Sequence, residues 1–578
     1  MNRRDSALIL VLLVALVAAA VLVGIPALQP TAPVATSSPP PIAEDTDRPY
    51  REGVLGQPVS ASPLTARTQA DRDLVALLFS GLVRNGPNGS LVPDLAAQWS
   101  VSEDGRTWTF ELRDDARWHD GEPVTADDVV FTIRALQDPG YTGPRAASWA
   151  GVDIQATGVR TVVFTLETPL GGFLQAATQA IAPAHLLEDV PVALLADDPF
   201  GRQPVGSGAF EIADLDDEMA VLRPRPAQPD PDDATPEPSA VATDSLATPR
   251  PTVRPDVLRP YLDGIEFHYY SDPAALGGDY AAGRLDAVSG VDATLAAELD
   301  EAEDTFLLRY PGSTLTAVLL NLRPGHPGFA TPAVRTALLQ AIDRPGVIDA
   351  AFEGNAVQAE SPLPPSAPLF DPASAAEVAH DAAAAAAALE TAGWTKVDGL
   401  WRLPGATEPF EIDLISPDAT SSLAVHAAAA AVARDWTAFG LRVRHVPLPA
   451  AEFTTTRIAT GTYSAAVADL AIGLDPDLYP LFASTQTVTG GSNVIGLQDA
   501  VLDPLLAAAR QPGTDPERRT AYVALQKQLA AGRYLLPLAF ADETVVVNER
   551  LSGPVVRQVA DLSDRFWDVL TWRLADDP

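Results

Sequence analysis

The sequence predicts an α/β protein of several domains, and three observations support this prediction. The chain has 578 residues, which at roughly 100–200 residues per domain is enough for two to four domains. Hydrophobic residues make up 47% of the chain and aromatic residues 7%, a composition typical of a globular protein. From Tyr50 onward, short strand-like segments alternate with amphipathic helical segments, as they do in α/β proteins.

The charge and the residue types exclude several functions. Lys and Arg number 39 against 76 Asp and Glu, which gives a net charge of −37. We therefore expect no nucleic-acid partner, because phosphate binding needs clustered cations. The chain has no cysteine, so disulfides, thiolate metal sites, thiol nucleophiles and lipid attachment through cysteine are excluded. No HExxH or GxSxG motif is present, and we expect no catalytic residues, no metal site and no cofactor.

The first element along the chain is an apolar segment within residues 1–28. Arg3 and Arg4 precede the uninterrupted apolar run Ala7–Leu28, which is long enough to span a bilayer core of about 30 Å. The two arginines predict a cytoplasmic N-terminus and an exported body at the outer face of the cytoplasmic membrane, either periplasmic or on the cell surface. The segment is either a cleaved signal peptide or an uncleaved anchor. Its length and the lack of an A-x-A site favour the anchor.

Two further segments have compositions that cannot form a core. Residues 29–49 (QPTAPVATSSPPPIAEDTDRP) are rich in Pro, Ser and Thr and predict a semi-extended tether. Residues 227–255 are rich in Pro, Ala and acids without periodicity, which predicts a disordered surface insertion. Strand-like segments flank this insertion, so the chain is expected to leave and re-enter one domain there.

The second half of the body contains a predicted β-α-β unit and two further helices. The unit consists of a strand at Ile412–Ser416, a helix at Ser422–Phe439 that ends at Gly440, and a strand at Leu441–Pro447. The further helices are Asp381–Ala392, ended by Gly393, and Pro516–Arg533, with Asp515 as its N-cap candidate.

Residues 91–136 carry a long motif, LVPDLAAQWSVSEDGRTWTFELRDDARWHDGEPVTADDVVFTIRAL. Trp108, Phe110 and Leu112 alternate on one face of a strand, Asp104-Gly105 and Asp120-Gly121 predict turns, and Thr125 predicts a helix N-cap. This segment resembles the signature of the family 5 extracellular solute-binding proteins of ABC importers. Further segments resemble the family in order, namely QPVGSGAF, PYLDGIEF, GRLDA and VRTALLQAIDR. The resemblance covers essentially residues 50–550.

The resemblance implies a type II periplasmic-binding-protein fold, in which two lobes with an extra subdomain are joined by a hinge. It implies a discontinuous first lobe at residues 50–86, 200–310 and 530–578, a subdomain at 87–199 and a second lobe at 311–529. Such proteins capture a small solute by closing the lobes and deliver it to permease subunits in the membrane. We expect a monomer that is not an enzyme. A ligand-binding sensor not coupled to import, or an exported hydrolase, are the alternatives.

The resemblance also implies candidate ligand-binding residues in the second lobe. In peptide-binding relatives, a carboxylate some four residues before a proline takes the ligand's ammonium group. The matching stretch is Tyr463–Pro480, where the position four residues before Pro476 is Ile472. The nearest acids, Asp469 and Asp475, are therefore the candidates, and the departure argues against recognition of a free peptide amine.

Four more residues complete the predicted site. Trp149 lies in a subdomain loop where relatives often place an aromatic residue against the ligand, although packing in the core or at the surface is the simpler role for it. Asn321 ends a strand and could donate to ligand or only to the loop backbone. Thr68 and Gln69 follow the first strand and are expected near the cleft. The identity of the ligand does not follow from these residues.

Overall fold

A computed structural model of the chain describes residues 48–143, 146–225, 260–302, 304–488 and 490–575. The predicted membrane segment 1–28, the tether up to residue 47 and the predicted insertion 227–255 lie outside these residues. Within the described part of the chain, no helix is long and apolar enough to cross a membrane.

The strands, numbered in chain order, are β1 Tyr50–Leu55, β2 Val83–Asn85, β3 Leu91–Pro93, β4 Ala96–Val101, β5 Thr107–Leu112, β6 Val152–Gly158, β7 Thr161–Leu166, β8 Phe210–Leu215, β9 Met219–Pro224, β10 Ile265–Tyr270, β11 Ala287–Ser289, β12 Thr305–Leu320, β13 Ala356–Gln358, β14 Thr395–Val397, β15 Leu400–Arg402, β16 Glu411–Pro417, β17 Arg442–Leu448, β18 Ala465–Ala471, β19 Leu536–Asn548, β20 Leu551–Ser552 and β21 Arg573–Leu574.

The α-helices are α1 Gln69–Leu78, α2 Ala126–Gln137, α3 Phe173–Ala176, α4 Ala184–Leu187, α5 Pro273–Ala281, α6 Ala293–Leu299, α7 Pro332–Gln340, α8 Arg344–Phe352, α9 Ala382–Thr391, α10 Leu423–Phe439, α11 Tyr479–Phe482, α12 Leu502–Ala509 and α13 Asp515–Gly532. Shorter 3₁₀ turns and one π-helical turn, Glu452–Ile458, connect them, and a 3₁₀ helix at Leu562–Thr571 lies near the C-terminus.

Eleven strands form one mixed sheet that runs through the whole body, in the order β17-β16-β18-β12-β19-β11-β1-β10-β9-β8, with β13 paired to β19. The long strands β12 and β19 lie in its middle and pair antiparallel with each other. Parallel pairs, such as β1 with β10 and β16 with β17, flank them on both sides. Long central strands of this kind can belong to two halves of a molecule at once.

The hydrophobic cores divide along β12 and β19. The core of the first half reaches Tyr310 on β12 and Val545 on β19, whereas the cores of the second half begin at Leu315 and end at Phe540. Between these positions the register of the two strands shifts, because β12 has extra residues between Pro311 and Leu315. A bulge disrupts the ladder locally and lets the strands bend. The chain therefore has two lobes joined by a hinge.

A separate four-stranded sheet, in the order β4-β5-β7-β6, forms the subdomain on the first lobe. The alternation predicted for β5 is present, because Trp108 and Phe110 are buried and Thr109 between them is less so. Its core is continuous with that of the first lobe. Thr125 is the N-cap of α2, and the Asp128 carboxylate accepts a hydrogen bond from the Thr125 amide at 2.7 Å.

The predicted β-α-β unit of the second lobe is β16-α10-β17. The Ser422 side chain accepts a hydrogen bond from the Val425 amide and so caps the start of α10. Gly440 ends the helix with a φ of 107°, a left-handed conformation that glycine adopts without steric cost. The interpretation of Asp515 as an N-cap was wrong by one residue. Thr514 caps α13, and its hydroxyl and the Glu517 carboxylate form a capping box.

A buried ionic network fixes the C-terminal segment to the first lobe. The Arg565 guanidinium donates to both carboxylate oxygens of Asp73 at 2.8 and 2.9 Å and to Glu52 at 2.7 Å, and the Tyr50 hydroxyl donates to Glu52. Glu52, Asp73 and Arg565 are each at most 1% exposed. Three segments that are distant in sequence, on β1, α1 and the 3₁₀ helix, therefore meet at one charge cluster.

Candidate functional site

One of the predicted residues lies on the strand that pairs with the hinge strand β12. Asp469 lies near the end of β18, directly beside Thr316 of β12. The Thr316 hydroxyl donates to the Asp469 carboxylate at 2.5 Å. Thr316 itself is buried, so this donor is held in place by the sheet.

The surroundings of the Asp469 carboxylate disfavour its charged form. The residue is exposed, yet burial among the surrounding protein atoms raises the pKa of its carboxyl, with the Thr316 hydrogen bond opposing that shift. No basic side chain of the described residues forms an ion pair with Asp469. Such a carboxylate can accept hydrogen bonds from a cationic or donating group.

Asp475 is instead engaged by the protein itself. The Arg518 guanidinium of α13 donates to its carboxylate at 2.6 Å, and both side chains are at least four-fifths buried. The backbone of Gly172, in the subdomain, packs against the same carboxylate. The structure therefore places Asp475 at a contact between the second lobe and the subdomain.

Trp149 and Asn321 are both enclosed. The Trp149 ring is 2% exposed and packs against Phe164 and Phe173 with ring centroids 5.9 and 6.0 Å apart. The Asn321 amide donates to the carbonyl oxygens of Gly461 at 2.9 Å and Tyr463 at 2.8 Å. The Asn321 side chain thus donates hydrogen bonds to the backbone of the loop that precedes β18. This is the second of the two roles predicted for Asn321.

Thr68 and Gln69 lie at the start of α1, on the first lobe. Thr68 is the N-cap, and its hydroxyl accepts a hydrogen bond from the Asp71 amide at 3.1 Å. The Gln69 amide donates to Asp73 at 2.7 Å and accepts from Arg72 at 2.8 Å. Both residues are half-buried. In the described part of the chain, none of the six predicted residues forms a hydrogen bond with another.

Two residues beside the hinge were not predicted. Thr316 was missed because a threonine in an apolar strand is common. Glu543, on the hinge strand β19, is exposed, and its pKa is raised by burial and by the charge of Asp561, with Arg72 and Arg565 opposing. An acid within an otherwise apolar strand, as in ADETVVV, is the sequence signal that could have identified it.

The second lobe also has a groove of about 720 Å³ that none of the predicted residues lines. Its charged lining includes Asp413 and Arg444, which pair with each other at 2.8 and 2.5 Å. Glu411 also lines the groove and, like Asp469, forms no ion pair with a basic side chain of the described residues. Across the described residues, no three His, Asp or Glu side chains converge as they would to hold a metal ion.

Comparison with known proteins gives concordant results. The family model described as bacterial extracellular solute-binding proteins, family 5 Middle, matches residues 90–492. Protein XP55 of Streptomyces lividans is 28% identical over 511 residues, covering 87% of this chain and 85% of that protein. The oligopeptide-binding protein AppA of Bacillus subtilis is 23% identical over 533 residues, covering 90% of this chain and 91% of that protein.

Solved structures show the same fold. HbpA2 from Haemophilus parasuis has a TM-score of 0.73 at 20% identity, covering 91% of this chain and 100% of that chain. The structure of AppA from Bacillus subtilis in complex with a nonapeptide has a TM-score of 0.65 at 21% identity, with coverage of 92% and 100%.

Proposed function

Because this chain belongs to the bacterial extracellular solute-binding proteins of family 5, we propose that it is the solute receptor of an ABC importer. It captures a peptide or a similar small solute by lobe closure and delivers it to permease subunits in the membrane. AppA and the dipeptide-binding protein of Pseudomonas aeruginosa, both similar to this chain over more than four-fifths of its length, support a peptide-like solute. We infer a first lobe at residues 50–86, 200–310 and 530–578, a second lobe at 311–529 and a subdomain at 87–199, except that residues 534–540 pack in the cores of the second lobe.

One observation carries this proposal, namely the unpaired carboxylate of Asp469 beside the hinge. A carboxylate whose pKa the fold raises, and which has no cationic partner among the described residues, opposes folding when it is charged, so a role in binding explains its presence. Asp469 accepts from an ammonium or another donating group of the solute, with Thr316 orienting the carboxylate. Thr68 and Gln69 face the solute from the first lobe. Trp149 and Asn321 support the walls, because their own groups are enclosed by protein.

The test is native mass spectrometry of the full-length chain purified in detergent, followed by titration with a di- to pentapeptide library. We expect a small bound solute that denaturation releases. Asp469→Asn should weaken its binding, whereas Asp349→Asn, which removes an exposed carboxylate of the same lobe, should not. If no solute co-purifies and no peptide binds, the chain is not a peptide receptor. Binding without any transport when the permease is present would favour the sensor alternative.

The body works at the outer face of the cytoplasmic membrane, as a monomer, held there by residues 1–28. Sequencing of the mature N-terminus tests this placement. A mature chain that begins at Met1 is expected for an anchor, and a start between Gln29 and Ala43 would instead identify a cleaved signal peptide.

A further inference from the structure

The subdomain touches the second lobe directly, away from the hinge strands. The backbone N–H of Gly171 donates to the carbonyl oxygen of Arg510 at 2.6 Å. Gly171 belongs to the loop between β7 and α3 of the subdomain, and Arg510 follows α12 of the second lobe. The bond therefore joins the subdomain to the second lobe outside the hinge strands.

Three glycines allow this approach of backbone to backbone. A Cβ at Gly171 would lie 2.8 Å from the carbonyl oxygen of Gln511, and one at Gly172 would lie 3.2 Å from the Asp475 carboxyl carbon. At the tip of the β4–β5 turn, a Cβ at Gly105 would lie 2.5 Å from the Pro512 ring. Distances below 3.0 Å are too short for real Cβ contacts, so larger residues at 171 or 105 would push the two surfaces apart.

Ion pairs hold the side chains on the second-lobe side of the contact. The Arg510 guanidinium forms an ion pair with Asp477 at 2.9 Å and stacks over the Tyr479 ring at 4.6 Å. Asp475 is paired with Arg518 at 2.6 Å. A carbonyl and a carboxylate held in this way present a preformed surface to the subdomain loop.

We propose that the contact of Gly105, Gly171 and Gly172 with Asp475 and residues 510–512 is a closing contact, which is made when the lobes close and is broken when they open. Asp475 then serves lobe closure, and Asp469 serves the solute. The proposal deepens the proposed function and rests on it only for its effect on solute affinity. The contact itself is a property of the protein without solute.

The closing contact sets the fraction of molecules that are closed without solute. If solute binds the closed form, its apparent dissociation constant is the intrinsic one divided by that fraction. Loss of one backbone hydrogen bond and its packing should lower the ratio of closed to open molecules by about three- to tenfold. The apparent affinity should fall by up to the same factor.

Distance measurement between spin labels tests the contact without any solute. The chain has no cysteine, so Thr157→Cys in the subdomain and Arg519→Cys in the second lobe, both at exposed positions, are labelled specifically. In this background, Gly171→Ala should move the distance distribution toward longer values. The ratio of the short-distance (closed) to the long-distance (open) population should fall by about three- to tenfold. Gly278→Ala is the matched control, since a Cβ there meets nothing within 4 Å, and it should leave the distribution unchanged.

A second variant approaches the contact from the other lobe. Pro512→Ala removes the ring that packs on Gly105 and should produce the same direction of shift, with a melting temperature close to that of the control. If Gly171→Ala and Pro512→Ala both fold and both keep the parent distribution, there is no closing contact. That result would leave the proposed function intact, because solute binding is measured separately. A shift in the distances with no peptide binding would retain the closing contact and reject the peptide receptor.

Discussion

Two aspartates six residues apart have opposite environments. Asp475 is balanced by Arg518 and packed against the subdomain, whereas Asp469 has only the neutral Thr316 hydroxyl. The two residues are of the same type, so the difference comes from their neighbours. The Asp475 carboxylate has a cationic partner, whereas the Asp469 carboxylate has none among the described residues. We therefore propose closure for the paired acid and recognition for the unpaired one.

The raised pKa of Asp469 gives the first prediction. An acid whose pKa is raised in the folded state binds its proton more tightly there than in the unfolded chain. Its contribution to stability is therefore present below the unfolded pKa and lost as the pH rises through the folded pKa. At pH 7 the charged form opposes folding, so Asp469→Asn should leave the melting temperature unchanged or raise it.

The same substitution should weaken binding of a cationic solute by roughly 1.5–3 kcal/mol, the scale of a hydrogen bond to a charged group. Scanning calorimetry and isothermal titration calorimetry at pH 7 measure the two effects, with Asp349→Asn as the control. Binding to the parent protein should also be lost, on acidification, at a higher pH than an ordinary aspartate would give. A lower melting temperature with unchanged affinity would assign Asp469 a structural role.

At the scale of elements, a buried ion cluster fixes the C-terminal segment to the first lobe, and a glycine ends a helix of the second lobe. Arg565 joins a strand, a helix and the C-terminal 3₁₀ helix through two carboxylates. The network carries one cation against two acids, and burial raises the pKa of Asp73 against the opposing charge of Arg565. The stability of this network therefore depends on Arg565 more than on either acid.

Arg565→Met should lower the free energy of unfolding by about 3–5 kcal/mol, because it leaves two carboxylates buried without a cation. Urea unfolding followed by circular dichroism measures the change. Arg519→Met, at an exposed position of α13, is the control and should change stability by less than about 0.5 kcal/mol. A similar small effect for Arg565→Met would mean that solvent or proton uptake compensates the two acids.

Gly440→Ala tests the end of α10. Its φ of 107° is unfavourable for alanine, and a Cβ there would clash with the carbonyl oxygen of Gly399. We expect a loss of at least about 1 kcal/mol in the free energy of unfolding. Gly325→Ala, where a Cβ meets nothing within 4 Å, is the comparison in the same lobe. Equal stability of the two variants would contradict a requirement for glycine at this C-cap.

The sequence predicted those parts of the fold that local chemistry determines. Thr125 and Gly440 were identified because capping residues act on their own helices, and the alternation of β5 follows from its own side chains. The partner of Asp475 lies 43 residues away in sequence, and the carbonyls held by Asn321 lie 140 and 142 residues away. Such contacts depend on the packing of distant segments, so the roles of individual site residues could not be read from the motif alone.

At the scale of the whole molecule, the two lobes share one sheet but not one core. The cores separate on either side of the hinge, so lobe movement requires bending of β12 and β19 and leaves the packing within each lobe intact. Hinge closure of this kind is a known way to enclose a ligand. The chain as a whole is strongly acidic, with a net charge of −37.

This net charge leads to the last prediction. Charges of one sign repel one another in the folded state, where they lie closer together than in the unfolded chain, and this repulsion opposes folding. Salt shortens the screening length from about 30 Å at 0.01 M to about 3 Å at 1 M. Repulsion between surface acids is thereby reduced, whereas buried pairs such as Arg565 with Asp73 are screened much less. The melting temperature should therefore rise by a few degrees between 0.01 and 1 M NaCl.

Differential scanning calorimetry measures this rise, and glycine betaine at equal osmolality, which carries no net charge, separates screening from solute exclusion. A melting temperature that falls with NaCl would show that surface ion pairs outweigh the repulsion.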